Sequence, residues 1–94
     1  MAMENKVLYM IFISGRVQGV GFRWSVANEA IIRGINGFVK NLSDGRVYIE
    51  AEGYKDHLDA FVEWCRKGPG HSVVKSITIE SSPPVNYSEF RIEL

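Results

Sequence analysis

Seven consecutive residues, Val7-Leu8-Tyr9-Met10-Ile11-Phe12-Ile13, carry no charge and a single hydroxyl between the two faces of an extended chain. A strand that is apolar on both faces belongs in the middle of a sheet, with neighbours on each side and a cover above. The rest of the chain has to supply both. Cover comes from two segments with helical spacing. After Phe22 the apolar residues Val26, Ala27, Ala30 and Ile31 recur three and four apart, and Gly34 provides a left-handed stop. Leu58, Phe61, Val62 and Cys65 fall at i, i+3, i+4 and i+7, and Gly68-Pro69-Gly70 ends that helix. Neighbours come from Ile35 to Leu42 and from Val47 to Ala51, joined by the turn residues Ser43-Asp44-Gly45, with Tyr48, Glu50 and Glu52 on a wet face. Val73 to Glu80 adds a fourth strand, and Phe90, Ile92 and Leu94 a short fifth. The order β-α-β-β-α-β-β contains the split βαβ arrangement, so an α+β, ferredoxin-like sandwich is predicted: an antiparallel sheet with two helices on one face. At 94 residues the chain is expected to form a single domain over 1–94.

Charge narrows the function. Eleven basic and eleven acidic side chains leave a net charge of zero, which argues against the broad basic surface of a nucleic-acid binder and limits any anion site to a small, focused one. No apolar stretch nears the roughly 20 residues that cross a bilayer, so no membrane partner is expected. Cys65 stands alone and cannot form an internal disulfide, and the start Met-Ala-Met-Glu-Asn-Lys lacks the apolar core of a secretory leader. A cytoplasmic monomer is expected.

The predicted topology brings three features to one edge. Strands one and two run the same way with strand three between them, so their C-terminal ends lie about 10 Å apart. The loop at 15–21, the start of the first helix and Asn41 all fall there. That loop reads Gly15-Arg16-Val17-Gln18-Gly19-Val20-Gly21, and three glycines in seven residues let a ligand approach the main chain closely. Because the loop runs into a helix, its free N–H groups and the positive helix end point the same way, an arrangement that holds phosphate. Val17, Gln18, Gly19 and Val20 are the candidate backbone donors. Arg23 lies on the helical wheel among Phe22, Val26, Ala27 and Ala30, inside the apolar stripe, where a fixed charge is costly without a partner. Leaning toward the helix N-terminus, it would reach over the loop and grip two phosphoryl oxygens. Arg16 is a loop residue free to be solvated. On spacing alone, a plain tight turn and an anion cradle both fit. Walker and Rossmann patterns do not: there is no Gly-x-x-x-x-Gly-Lys, and Trp24 occupies the place of a third fingerprint glycine.

Asn41 cannot take a proton from water but can orient one, which is catalysis by positioning; a strand-end residue capping the hairpin turn is the alternative. The chain lacks the set that expels an alkoxide from a phosphate monoester. Cys65 sits in the core stripe of its helix, His57 and His71 have no partners at metal-ligand spacing, and Asp56 and Asp59 read as solvated. A mixed anhydride of phosphate and a carboxylic acid makes lighter demands, since its carboxylate departs without protonation. Backbone donors, Arg23 and Asn41 suffice for that reaction.

These residues resemble the acylphosphatase family. Ile13-Ser14-Gly15-Arg16-Val17-Gln18-Gly19-Val20-Gly21-Phe22-Arg23 matches the family's first signature throughout. Gly37-Phe38-Val39-Lys40-Asn41, followed by Gly45, Val47 and Gly53, matches the second at the family's spacing. The resemblance covers the whole length and implies hydrolysis of acyl phosphates to a carboxylate and inorganic phosphate. It makes Arg23 the phosphate-binding arginine, Asn41 the residue that orients the attacking water, and the amides from Arg16 to Val20 the phosphate cradle. It implies no metal and no organic cofactor. Gly68 to Ser88 carries no signature, and the position of the fifth strand stays open. Two other classes fit the fold: a module that binds phosphate or carbamoyl phosphate inside a larger maturation enzyme, and an RNA-binding sheet that stacks bases on Tyr9 and Tyr48.

Overall fold

The computed structural model describes residues 5–94. Its elements are β1 (Lys6–Arg16), α1 (Phe22–Ile32), β2 (Asn36–Asn41), β3 (Val47–Tyr54), α2 (Lys55–Arg66), β4 (Val73–Ser82) and β5 (Phe90–Ile92). The sheet runs β4-β1-β3-β2-β5, so β1 is interior, as its double-sided apolar run requires. β3 pairs antiparallel with both β1 and β2, which makes those two strands parallel to each other with β3 between. Phe22, Val26 and Ala30 of α1 and Leu58, Phe61 and Cys65 of α2 close over Ile11, Ile13, Val39, Val47 and Ile49 to form one core. Gly34 ends α1 as expected: at φ 69° it lets its own amide reach the carbonyl of Ile31 and that of Ile35 reach Ala30.

Four expectations change. β5 lies beside β2 and parallel to it, with Val39 opposite Ile92, so the sheet is mixed. The loop does not begin at Gly15: a bulge between Ser14 and Gly15 carries β1 on to Arg16, which pairs with Val73. A Cβ on Gly15 would stand 2.1 Å from the Val73 carbonyl oxygen, so this glycine serves the approach of β4 rather than of a ligand. Ile31 is 61% exposed, because at about 100° per residue it falls well outside the arc of Phe22, Val26 and Ala30. Glu52 is not on a wet face. It is 4% exposed, because the segment after β4 crosses the open side of the sheet and the amides of Val85, Asn86 and Tyr87 donate to its carboxylate.

Candidate active site

The turn from β1 into α1, the first turn of α1, the end of β2 and β5 line an open cavity of about 180 Å³. Val17, Gly19, Gly21, Phe22, Arg23 and Trp24 form the loop-and-helix wall, and Asn41 and Ile92 the strand wall. Side-chain burial sets the shape of the loop. Val17 is fully buried and Val20 packs against the core, so the segment is pinned at two points. Between and after them, Gly19 (φ 74°) and Gly21 (φ 77°) take the left-handed turns that lead the chain into α1. Among the described residues, the amides of Val17, Gln18, Gly19 and Val20 donate to no carbonyl or side chain. The helix start is equally bare: Gly21 provides no side-chain cap, and the first turn has no acidic residue. A loop with unpaired N–H groups, two of whose residues line the cavity, and the positive end of α1 therefore meet at one place, a setting that favours an anion.

Arg23 is half-buried in this wall, and its Nη1 donates to the carbonyl oxygen of Glu93 at 3.1 Å, just beyond β5. That bond holds the guanidinium by one of its five N–H donors. Across the cavity, the side-chain oxygen of Asn41 is buried and accepts no hydrogen bond among the described residues. A buried amide oxygen without a partner carries a desolvation cost of about 1–3 kcal/mol. Stability of the protein alone does not explain its position.

The residues expected at the site divide accordingly. Arg23, Asn41, Val17 and Gly19 line one cavity. Arg16 is drawn into the sheet edge beside Val73, and Val20 turns its side chain to the core. Gln18 turns away from the cavity to a use not anticipated. Its Nε2 donates to the carbonyl oxygens of Leu42 at 2.8 Å and Arg46 at 2.9 Å, bridging the neck of the β2–β3 turn and tying the loop to the strand that ends in Asn41. Trp24 and Ile92 were also not anticipated. Trp24 follows Arg23 directly and was within reach of the motif, whereas Ile92 enters only through the parallel pairing of β5.

Groups away from the cavity account for themselves structurally. Cys65 is fully buried, and burial pushes its thiol up to about 12, so it is a packed side chain and no nucleophile. His57 and His71 are exposed. Asp59 accepts from the Tyr9 hydroxyl and from Lys55 Nζ, each at 2.6 Å, and those bonds hold its carboxyl below the ordinary range. Tyr9 is buried on the helix side, so it cannot pair with Tyr48 as a base-stacking platform. Among the described residues, no helix is long and apolar enough to cross a membrane.

Comparison with known proteins agrees with this geometry. The acylphosphatase family model matches residues 9–92. An acylphosphatase of Trichormus variabilis is 41% identical over 83 residues, covering 88% of this chain and 82% of the relative. The crystal structure of the Bacillus subtilis acylphosphatase superposes with a TM-score of 0.91 at 43% identity, covering 94% of this chain and 99% of that one. A full-length HypF structure, in its phosphate- and nucleotide-bound form, matches with a TM-score of 0.86 at 30% identity, and there the chain spans 12% of a much longer protein. With the family model spanning nearly the whole chain and relatives matching along most of their own length, the protein belongs to the acylphosphatase family, enzymes that hydrolyse acyl phosphates.

Proposed function

We propose that the cavity holds the phosphoryl group of an acyl phosphate and that the 94-residue chain works as one domain. The phosphoryl oxygens accept from the amides of Arg16 to Val20 and from the Arg23 guanidinium, which balance the charge spread over the equatorial oxygens as the bond to the leaving group stretches. Asn41 accepts a hydrogen bond from a water and aims its oxygen at phosphorus. As that oxygen bonds to phosphorus, the bond from phosphorus to the acyl oxygen breaks. The carboxylate leaves with the electron pair, and the water proton passes to solvent. A carboxylate departs without protonation, so the reaction asks for no general acid.

The observation that carries this reading is that Asn41, whose side-chain oxygen has no hydrogen-bond partner among the described residues, lines the same cavity as Arg23, Val17 and Gly19. The test uses purified protein, benzoyl phosphate as substrate and inorganic phosphate as a competing ligand. Arg23→Ala is expected to abolish both turnover and phosphate binding. Asn41→Ala is expected to lower kcat by about 10²-fold or more while phosphate still binds. Wild-type activity in Asn41→Ala would end the water-positioning role. Phosphate binding by the wild type without measurable turnover would favour a binding module instead.

A further inference from the structure

Displacement at phosphorus places the attacking and leaving oxygens roughly in line, on opposite sides. The two walls of the cavity are not equivalent in this respect. With a water held at Asn41 and the loop amides and Arg23 taken up by the equatorial oxygens, the departing carboxylate points away from Asn41, past the cradle toward the rim of the cavity. Most of the loop-and-helix lining is small or already engaged: Val17 and Phe22 are buried in the core, Gly19 and Gly21 have no side chain, and Arg23 is taken up by the proposed phosphoryl contact. Trp24 alone adds a large apolar surface, and it is 67% exposed because its position on α1 lies outside the buried arc. The cavity, at about 180 Å³, exceeds what a phosphoryl group and one water fill, given the roughly 30 Å³ that a water occupies in the liquid.

We propose that Trp24 forms the acyl-group subsite, its indole lying against the R group of R–CO–O–PO₃, so that the enzyme prefers aromatic acyl phosphates to small ones such as acetyl phosphate. The proposal rests on the phosphoryl-cradle reading above. The cradle reads phosphate and is indifferent to R, so selectivity has to come from the side facing the leaving group. An indole gives an aromatic R group an offset-stacked or edge-to-face partner, a contact that corresponds to a factor of about 3 to 10 in affinity. A methyl group has too little surface to gain as much.

The experiment measures kcat and KM for benzoyl phosphate and acetyl phosphate in the wild type, Trp24→Ala, Trp24→Phe and Ile92→Ala, with competitive inhibition by inorganic phosphate as a separate report on the cradle. In the wild type the kcat/KM ratio of benzoyl to acetyl phosphate is expected to exceed one. In Trp24→Ala it should fall about 3- to 10-fold, chiefly through the KM for benzoyl phosphate, and Trp24→Phe should restore most of it. The proposal is overturned if the ratio is the same in Trp24→Ala, or if it falls only in Ile92→Ala, which would put the acyl group on the strand wall. It is also overturned if the phosphate inhibition constant moves as much as the benzoyl phosphate KM, since Trp24 would then be shaping the cradle. A wild type that neither binds phosphate nor hydrolyses either compound refutes the cradle reading, and the subsite with it.

Discussion

Replacing Gln18 with Met removes one amide while keeping the length and shape of the side chain. The structure indicates what is lost. Nε2 donates to the carbonyl oxygens of Leu42 and Arg46, at 2.8 and 2.9 Å. Neither acceptor is orphaned by the change, because Gly45 still donates to Leu42 and Leu42 to Arg46. The loss is therefore two net hydrogen bonds at the lower end of their usual worth, about 1–2 kcal/mol. In a domain of this size that corresponds to a fall in Tm of roughly 4–16 °C. The kinetic effect is more telling. Leu42 directly follows Asn41, so freeing the neck of the turn loosens the amide proposed to aim the water. A displacement of about 1 Å costs up to 10²-fold in rate. Calorimetry together with benzoyl phosphate kinetics and phosphate inhibition should show kcat falling by a larger factor than phosphate affinity. Gln18→Glu, which sets a carboxylate against two carbonyl oxygens, should be worse on every measure. An unchanged Tm and kcat in Gln18→Met would refute the idea that this side chain couples loop to strand, and an equal loss of phosphate affinity would assign its role to the loop alone.

Gly15→Ala should destabilise the protein by about 3 kcal/mol or more, since the new methyl meets the Val73 carbonyl oxygen at 2.1 Å. Gly19→Ala, with nothing within 4 Å, should lose only the left-handed penalty of about 1–2 kcal/mol; urea titration separates the two. Glu52→Gln should weaken the anchoring of Val85 to Tyr87 by about 2–3 kcal/mol, visible as faster hydrogen exchange at those three amides. The Cys65 thiol is raised to about 12 in the folded protein, so above the ordinary thiol range near pH 8.5 the unfolded chain releases a proton that the native state keeps. Stability should therefore decline as pH rises above about 8.5, and Cys65→Ala should flatten that decline in urea midpoints below about pH 10, above which the raised Tyr9, Tyr48 and Tyr87 hydroxyls add a loss of the same sign.

What could be read in advance was whatever local spacing controls. Arg23 was visible as a charge inside an apolar stripe, because the stripe is defined by residues a few positions away. Asn41 reached the correct edge because β1 and β2 follow from the split topology. Ile92 and the Glu93 carbonyl were not readable, since a three-residue strand says nothing of its partner and only docking beside β2 brings it to the cavity. Glu52 departs from its pattern for a related reason. Alternation assigns it to the solvent side of β3, and nothing in that pattern shows a distant segment crossing that face and offering three amides. Gly15 was legible as a glycine but not in its purpose, which depends on how closely β4 runs alongside β1.

The bond from Arg23 to Glu93 spans 70 positions of sequence, and Ile92 beside it completes the strand wall. On the proposed reading of the site, turnover requires that this long loop be closed, and contacts so distant in sequence carry a high closure entropy. During refolding, helix signals should recover before turnover does. Onset of hydrolysis would then report the docking of the C-terminal strand, a readout that secondary-structure signals do not give.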